Sequence, residues 1–302
     1  AEAALQRIAA PSAFDTESFF GGKAQLLGIA ISEDCAVLNT PLRQLSDLFP
    51  TLGTIIVGVR REDRLFAPEA EDQLFPGDQV YAFTDTKDVD RTLEAFGKVV
   101  APQERIVILG GGAVGLTVAR KLEAGANRVR VRIIERDRGK AETAADMLQR
   151  TIVLNGDGLD AELMREAGVD KADAIVAVTD DDKTNLLACV RAKAEGAKLA
   201  IALINDPSMA QLMPALNIDA YINPRATTVS SILRHIRHGR VRALYSIGDS
   251  EAEIIEAQVL STSPLAGNMI REIEFPEGVL VGGILRGGRY ICLLYTSDAA
   301  DE

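Results

Sequence analysis

The strongest pattern in the chain is an alternation of short apolar runs with stretches whose apolar residues recur at helical spacing. The first run, Arg105–Leu109, is rich in β-branched residues, and a glycine-rich turn and a helical stretch follow it directly. The same order repeats and predicts strands near 129–134, 151–154, 174–178, 199–203 and 220–222, with helices near 140–149, 160–167, 184–194, 207–216 and 227–238. The predicted fold class is therefore α/β, with a Rossmann-like doubly wound parallel sheet over residues 103–240.

Two flanking segments, 24–66 and 252–291, resemble each other. Each runs through a strand, a short helix (42–48 or 269–273), a Phe-Pro pair, a second strand and a two-residue turn. This shared order predicts an internal repeat of two small α+β modules, at 11–98 and 241–292. The first copy continues through Asp78 into a further strand, whereas the second breaks off after Ile291. The second module is therefore predicted to be truncated, and 293–302 to be a non-native tail.

The first ten residues fit the same scheme. Leu5 and Ile8 align with Leu233 and Ile236 at the offset that relates the two modules. Residues 1–10 are therefore predicted to be the last helix of a further nucleotide-type domain that this chain lacks.

The composition argues against one class of partner and indicates the compartment in which the protein works. A formal net charge of −11 argues against nucleic acid, because phosphate neutralisation requires Lys and Arg. No apolar run approaches the roughly 20 residues that cross a bilayer. The three cysteines are widely spaced, as is usual in a reducing compartment. We expect a soluble, cytoplasmic protein.

The glycine-rich turn has the spacing of a phosphate-binding loop. Gly110 would allow a tight turn, Gly112 would let the backbone approach a pyrophosphate, and Gly115 would let helix and strand pack closely. The backbone N–H groups of the following helix, from Ala113 and Val114 onward, would face the phosphates. The alternative is a flexible turn of an ordinary α/β protein. The preceding strand and the following helix favour a nucleotide site.

An acidic residue ends the next strand, where a ribose-binding carboxylate is expected. Glu135 follows the glycines by 20–25 residues and favours NAD(H) over NADP(H), because a carboxylate would repel a 2′-phosphate. The neighbouring Arg136 weakens that preference. The alternative is that Glu135 and Arg136 belong to a solvated turn of mixed charge.

Two further acidic segments follow the third and fourth strands. Asp157 could accept a hydrogen bond from an adenine amino group, although Asp157 or Asp160 could instead cap the next helix. Thr179 begins the run Thr179-Asp180-Asp181-Asp182, at the sheet edge where open α/β sheets bind ligands. Three successive acids could hold a metal, but helix capping explains them better.

Residues for catalysis are missing from this pattern. The two histidines, His235 and His238, lie on the helix that leaves the sheet, without a third metal ligand nearby. We find no nucleophile elbow, Walker loop or proton-transfer set beside the glycine loop. The sequence predicts a binding protein without a metal site and without an enzymatic activity.

Several motifs together resemble the RCK or KTN family, whose nucleotide-binding domains regulate potassium channels and transporters. They are the segment from Asp173 to Asn185, Ala202-Leu203-Ile204-Asn205, Ile222-Asn223-Pro224-Arg225-Ala226-Thr227, and Leu233-Arg234-His235-Ile236-Arg237 with Gly239. The order of module, nucleotide domain and module covers about 290 residues. One departure is Leu159, where the family commonly has Thr.

The resemblance implies a cytoplasmic subunit that assembles as a homo-oligomeric ring beneath a potassium-translocating membrane subunit. It implies binding of NAD(H), and often of ATP or ADP, that biases the ring between conformations. By matching positions, Gly110, Gly112, Gly115, Glu135, Asp157 and Thr179 would contact the nucleotide. Two alternatives are an NAD-dependent oxidoreductase, which would need proton-transfer residues, and a regulator of another cation transporter.

Overall fold

The computed structural model describes the chain except for residues 50, 63, 99–102, 126–127, 211, 214, 226–240, 248–250, 277 and 294–302. Its contacts divide the chain into two units. The parallel unit contains the described residues of Ala1–Pro11 and Ala101–Thr227, and the antiparallel unit those of Ser12–Val100 and Thr228–Glu302. The predicted helix 227–238, with both histidines, lies outside the described residues.

The described elements are fifteen strands and eight α-helices, supplemented by short 3₁₀ turns. The strands are β1 (Asp15–Phe19), β2 (Ala24–Ala30), β3 (Thr54–Arg61), β4 (Arg64–Phe66), β5 (Gln79–Asp85), β6 (Arg105–Leu109), β7 (Arg130–Glu135), β8 (Ile152–Asn155), β9 (Ala174–Ala177), β10 (Leu199–Leu203), β11 (Ala220–Ile222), β12 (Val241–Ile247), β13 (Ala252–Ala257), β14 (Gly283–Arg286) and β15 (Arg289–Cys292). The helices are α1 (Glu2–Ala9), α2 (Leu45–Leu48), α3 (Val89–Ala95), α4 (Ala113–Ala124), α5 (Arg138–Met147), α6 (Ala161–Glu166), α7 (Asp182–Glu195) and α8 (Pro207–Ala210).

The parallel unit contains the predicted doubly wound sheet. Its six strands lie in the order β11-β10-β9-β6-β7-β8, and all neighbours are parallel. The chain moves outward from β6 to β8 and then returns to the other side of β6 with β9. The strand order therefore reverses between β6 and β9, and open α/β sheets bind ligands outside the carboxyl ends of strands at such a reversal.

Alternate residues of β6 supply two apolar cores, one on each face of the sheet. Ile106 and Ile108 enter one core, whereas Val107 and Leu109 enter the other. Helix α1 packs on the face of Ile106 and Ile108, where its own Ala4 and Ile8 are buried. The helix predicted within residues 1–10 is thus present and packs in this unit's core, and its assignment to a further nucleotide-type domain stays a prediction.

One predicted helix in this unit is wrong in extent. The spacing predicted a helix over 207–216, but α8 ends at Ala210, and the described residues beyond it are turns. A physical reason is the proline at position 214, which lacks the N–H that a continuous helix requires. Asn217, with a positive φ of 53°, then turns the chain toward β11.

The first module, in the antiparallel unit, is a five-stranded sheet in the order β1-β2-β5-β3-β4. Its central strand, β5, comes last in sequence and pairs with β2 on one side and β3 on the other. Arg61 at the end of β3 secures the entry to β5, because its Nε and Nη2 donate to Asp78 at 2.9 and 2.8 Å. The Arg61 guanidinium also lies over the ring of Phe75, 4.5 Å from its centroid.

The second module consists of two separate hairpins, β12–β13 and β14–β15. Both pack on one face of the first module's sheet, where Ile247 and Tyr290 join a core that contains Phe83. Polar contacts cross the same interface: Arg60 pairs with Glu251, and the Phe20 N–H donates to Glu256 at 2.7 Å. The predicted strands of the repeat and its turn at Gly287–Gly288 are present, but they do not form one sheet. The helix predicted at 269–273 is only a 3₁₀ turn, Ile270–Glu272.

Candidate nucleotide-binding site

The turn between β6 and α4 requires glycine at two positions for reasons internal to the fold. Gly110 has a φ of +105°, which L side chains rarely adopt, and an added Cβ would lie 3.0 Å from the Val178 carbonyl oxygen. At Gly115, an added Cβ would lie 1.9 Å from the Gly110 carbonyl oxygen. These two glycines allow the turn and the close packing of α4 on it, as the spacing predicted.

Gly112 is different, because the protein itself does not require a glycine there. Its φ of −70° and ψ of −171° are open to any residue, and an added Cβ would meet nothing within 4 Å. The missing side chain therefore leaves open space at the first turn of α4. A pyrophosphate that approaches the backbone would account for this glycine.

The start of α4 is also open to an anion. No side chain caps this helix at Gly112, whereas Asp137, Asp160 and Asp181 cap α5, α6 and α7 through hydrogen bonds from backbone N–H groups. The N–H groups of the first turn, from Ala113 to Gly115, lie at the positive end of a twelve-residue helix. A phosphate group would complete this helix as the aspartates complete the others.

Glu135 lies beside this turn and holds it. The residue is 9% exposed, and its Oε2 accepts a hydrogen bond from the Gly111 N–H at 2.6 Å. Its Oε1 accepts one from the Asp137 N–H at 2.7 Å. Each carboxylate oxygen keeps a second lone pair that can accept a ribose hydroxyl. Arg136 follows as an exposed residue at the same edge.

Asp157 lies one strand further along this edge, after β8. The adjacent Gly156 N–H donates to the Glu135 carbonyl at 3.0 Å, which ties the two strand ends together. Asp157 is exposed, and its Oδ1 accepts from the Leu159 N–H at 2.9 Å, while Asp160 caps α6. Sequence reasoning missed Asn155, whose side-chain amide donates to the carbonyls of Glu135 and Arg136 at 2.9 and 3.1 Å.

Thr179 lies on the other side of the glycine turn, two residues after the end of β9. Its neighbour Val178 contacts the Cβ position of Gly110, so the ends of β6 and β9 meet there. Asn185, which sequence reasoning did not assign to the site, is fully buried, and its Oδ1 accepts from the Thr179 N–H at 2.9 Å and from the Thr179 hydroxyl at 2.7 Å. A polar residue on the buried face of a predicted helix was the available signal.

The acidic run after Thr179 stabilises local structure. Asp181 caps α7, and hydrogen bonds from Thr184 lower the pKa of its carboxyl. Asp182 accepts from the Asn205 N–H, the Asn205 side chain and the Asp206 N–H, each at 2.9 Å. Among the residues that the structure describes, no group of three or more His, Cys, Asp or Glu side chains could hold a metal ion.

The structure thus gathers the sequence-predicted residues at one edge of one sheet. The turn from Gly110 to Gly115, Glu135 and Thr179 lie at the carboxyl ends of β6, β7 and β9, with Asp157 beyond β8.

Within the described ranges, no helix is long and apolar enough to cross a membrane.

Comparison with known proteins agrees with this arrangement. A family model described as the TrkA-N domain matches residues 106–224, and one described as the TrkA-C domain matches residues 26–97. The Trk system potassium uptake protein TrkA of Azorhizobium caulinodans is 42% identical over 287 residues, which are 95% of this chain and 63% of that protein. The TrkA homolog 1 of Methanosarcina mazei is 31% identical over 280 residues, which are 93% of this chain and 62% of that protein.

Among solved structures, the GsuK channel bound to NAD shares the fold, with a TM-score of 0.52 at 18% identity over 77% of this chain and 41% of that one. The chain spans somewhat less than two thirds of the length of the two curated relatives. Their names describe components of a potassium uptake system and not enzymes. By these matches, the chain contains a TrkA-N domain and a TrkA-C domain, and it is similar to TrkA proteins over nearly its whole length.

Proposed function

We propose that this chain is the nucleotide-sensing part of a regulatory subunit of a potassium uptake system. It binds NAD(H), and also ATP or ADP, at the edge of the parallel sheet. It assembles as a homo-oligomeric ring on the cytoplasmic face of a potassium-translocating membrane subunit, and it catalyses no reaction. The names of the relatives support the assignment to a potassium uptake system, and the geometry of the site supports a nucleotide as the ligand.

The observation that carries the ligand class is the open first turn of α4. Gly112 leaves space that the fold does not use, and the helix start has no side-chain cap. Glu135 lies on one side of this turn with lone pairs available to a ribose, and Thr179 lies on the other. A phosphate flanked by two nucleoside-binding positions fits the chemistry of a dinucleotide.

Regulation follows from differential binding. A nucleotide can shift the ring between two conformations only by as much as its affinity for the two differs. In the domain division that we propose, residues 103–240 bind the nucleotide, and modules 11–98 and 241–292 flank them. Residues 227–238 follow the binding domain in the sequence and precede the second module.

The test is calorimetric titration of the purified chain with NADH, NAD, NADP, ATP and ADP. We expect micromolar binding of NADH or ATP and no turnover of NADH with small substrates. Gly112→Ala is the sharpest variant, because its new Cβ meets no protein atom and yet occupies the approach of the phosphate. Glu135→Ala is also expected to abolish binding, although it removes the hydrogen bond to Gly111 as well.

Gly139→Ala is the matched control, since it places the same methyl group in the first turn of α5, which Asp137 already caps. Loss of binding in Gly112→Ala with an unchanged melting temperature, and normal binding in Gly139→Ala, supports the proposal. Normal binding in Gly112→Ala, or no binding of any nucleotide to the wild-type chain, refutes it.

A further inference from the structure

The direction of one buried hydrogen bond determines what Thr179 offers to a ligand. Asn185 is 0% exposed, and its Nδ2 donates to the Leu203 carbonyl at 2.9 Å and to the Thr179 carbonyl at 3.2 Å. These two acceptors fix the orientation of the amide, so Oδ1 faces Thr179. Because Oδ1 only accepts, the Thr179 hydroxyl must donate to it, at 2.7 Å.

The Thr179 hydroxyl proton is therefore committed to the protein. The competing acceptor, the Asp181 carbonyl, lies 3.3 Å away and is the weaker partner. A hydroxyl oxygen has two lone pairs, and one of them receives the Asp181 N–H at 3.3 Å. Thr179 is half-buried at the sheet edge, so its second lone pair can accept a hydrogen bond from a ligand.

Thr179 and Glu135 lie on opposite sides of the glycine turn, beyond the end of β9 and at the end of β7, with β6 between these strands. If Glu135 binds the ribose on one side of a phosphate group at Gly112, Thr179 faces whatever lies on the other side. In a dinucleotide this is a second nucleoside with O–H and N–H donors. In a nucleoside triphosphate it is a terminal phosphate, which carries acceptors and negative charge.

We propose that Asn185 makes Thr179 a hydrogen-bond acceptor that favours dinucleotides over nucleoside triphosphates. The inference rests on the proposed nucleotide site and adds a positioning residue, Asn185, that acts through Thr179. A fixed acceptor receives a bond from the second nucleoside and offers nothing to a terminal phosphate. A rotating hydroxyl would donate to the phosphate and lose this preference.

The experiment measures the affinities of the purified chain for NADH, ADP-ribose, ADP and ATP by calorimetry. Thr179→Val removes the hydroxyl but keeps the N–H that Asn185 binds. It is expected to weaken NADH binding about fivefold, the worth of one neutral hydrogen bond, and to leave ADP unchanged. An equal loss for ADP-ribose identifies a ribose hydroxyl as the donor, and a loss for NADH alone identifies the carboxamide. Thr184→Val is the matched control, because its hydroxyl donates to the cap residue Asp181.

Asn185→Leu releases the Thr179 hydroxyl and is expected to lower the ratio of NADH to ATP affinity. In a Thr179→Val background the same substitution should leave that ratio unchanged, which a merely structural role would not produce. If Asn185→Leu does not fold, Thr179→Val alone decides. An unchanged NADH to ATP ratio in Thr179→Val, or an equal loss for all four ligands, overturns the inference. Absence of nucleotide binding to the wild-type chain overturns instead the proposed function.

Discussion

The two modules follow one sequence pattern but form different structures. In the first, strands β1 to β5 make one sheet, whereas in the second the corresponding hairpins, β12–β13 and β14–β15, remain separate. In the first module, β5 lies between β2 and β3 and pairs with both. Within the described residues of the second module, no strand takes that place between β13 and β14.

In the first module, the strand that joins the two hairpins into one sheet is the last of the five strands in sequence. The two hairpins are local in sequence and form in both copies, because a short turn connects each pair of strands. Joining them requires β5, which arrives last and pairs in the middle. The hairpins of the second module instead pack against the first module's sheet through Ile247 and Tyr290.

The two modules also differ on the face of each sheet that points away from the core they share. Leu27 and Ile255 are the fourth residues of β2 and β13, strands that begin at equivalent alanines. Leu27 is 0% exposed, whereas Ile255 is 49% exposed. The same apolar position therefore contributes to a core in one copy and faces solvent in the other.

The largest effect that we predict comes from substitutions at these two equivalent positions, Leu27 and Ile255. Leu27→Ala should lower the free energy of unfolding by about 3 kcal/mol, because it leaves a cavity in a closed core. Ile255→Ala should cost about 1 kcal/mol or less, since about half of the residue is already exposed to water. Urea unfolding of both variants measures the difference. Equal losses would show that the second module is closed in solution.

A second prediction concerns the charged pair at the entry to β5. Asp78 is 2% exposed and accepts from Arg61 and from the Phe75 N–H, so Asp78→Asn should cost about 2 kcal/mol. Arg286 is the counterpart of Arg61, at the end of β14, and in the part of the chain that the structure describes it makes no ion pair. Arg286→Ala is thus the matched control, with an expected cost near zero. A comparable cost for both would contradict the comparison.

A smaller effect is expected from pH. Burial alone would raise the pKa of Asp78, but the hydrogen bonds from Arg61 and the Phe75 N–H outweigh it and lower that pKa. A carboxyl with a lowered pKa in the folded state stabilises the protein above its ordinary value of 3.8 and loses this contribution as the pH falls below it. Melting curves at pH 6, 4 and 3 should therefore show the gap between wild type and Asp78→Asn narrowing toward pH 3. If the difference in melting temperature does not change with pH, the stability lost in Asp78→Asn comes from altered geometry and not from the lost charge.

Much of the parallel unit could be predicted from the sequence, because its signals are local. Each strand and helix of that unit is an apolar run or a helical stretch bounded by turns, and β6 and β10 match their predicted bounds. The pairing of β5 between β2 and β3 could not, since it depends on residues far apart in sequence. The positions of Gly110, Glu135 and Thr179 at one edge follow from the parallel order, and their contact with nucleotide stays a prediction.

The sequence motifs did not reveal the polar residues that hold the site in place. Asn155 and Asn185 bond to backbone atoms of other strands or loops, and the partners of such side chains are known only once the strands are placed. The role of Glu135 as an anchor for Gly111 was also missed, because the motif assigns its carboxylate only to the ribose.

The smallest effect tests the interface between the two modules. Arg60 and Glu251 form an ion pair across it, with 20% and 44% of their side chains exposed. Glu251→Gln keeps the shape and removes the charge, so it should cost less than about 0.5 kcal/mol at low salt. In 1 M salt the cost should vanish, because the screening length falls to roughly 3 Å. Urea unfolding at both salt concentrations checks this. A cost above ~1 kcal/mol that persists in salt would mean that the modules depend on this charge, and that the apolar contacts of Ile247 and Tyr290 do not hold the second module by themselves.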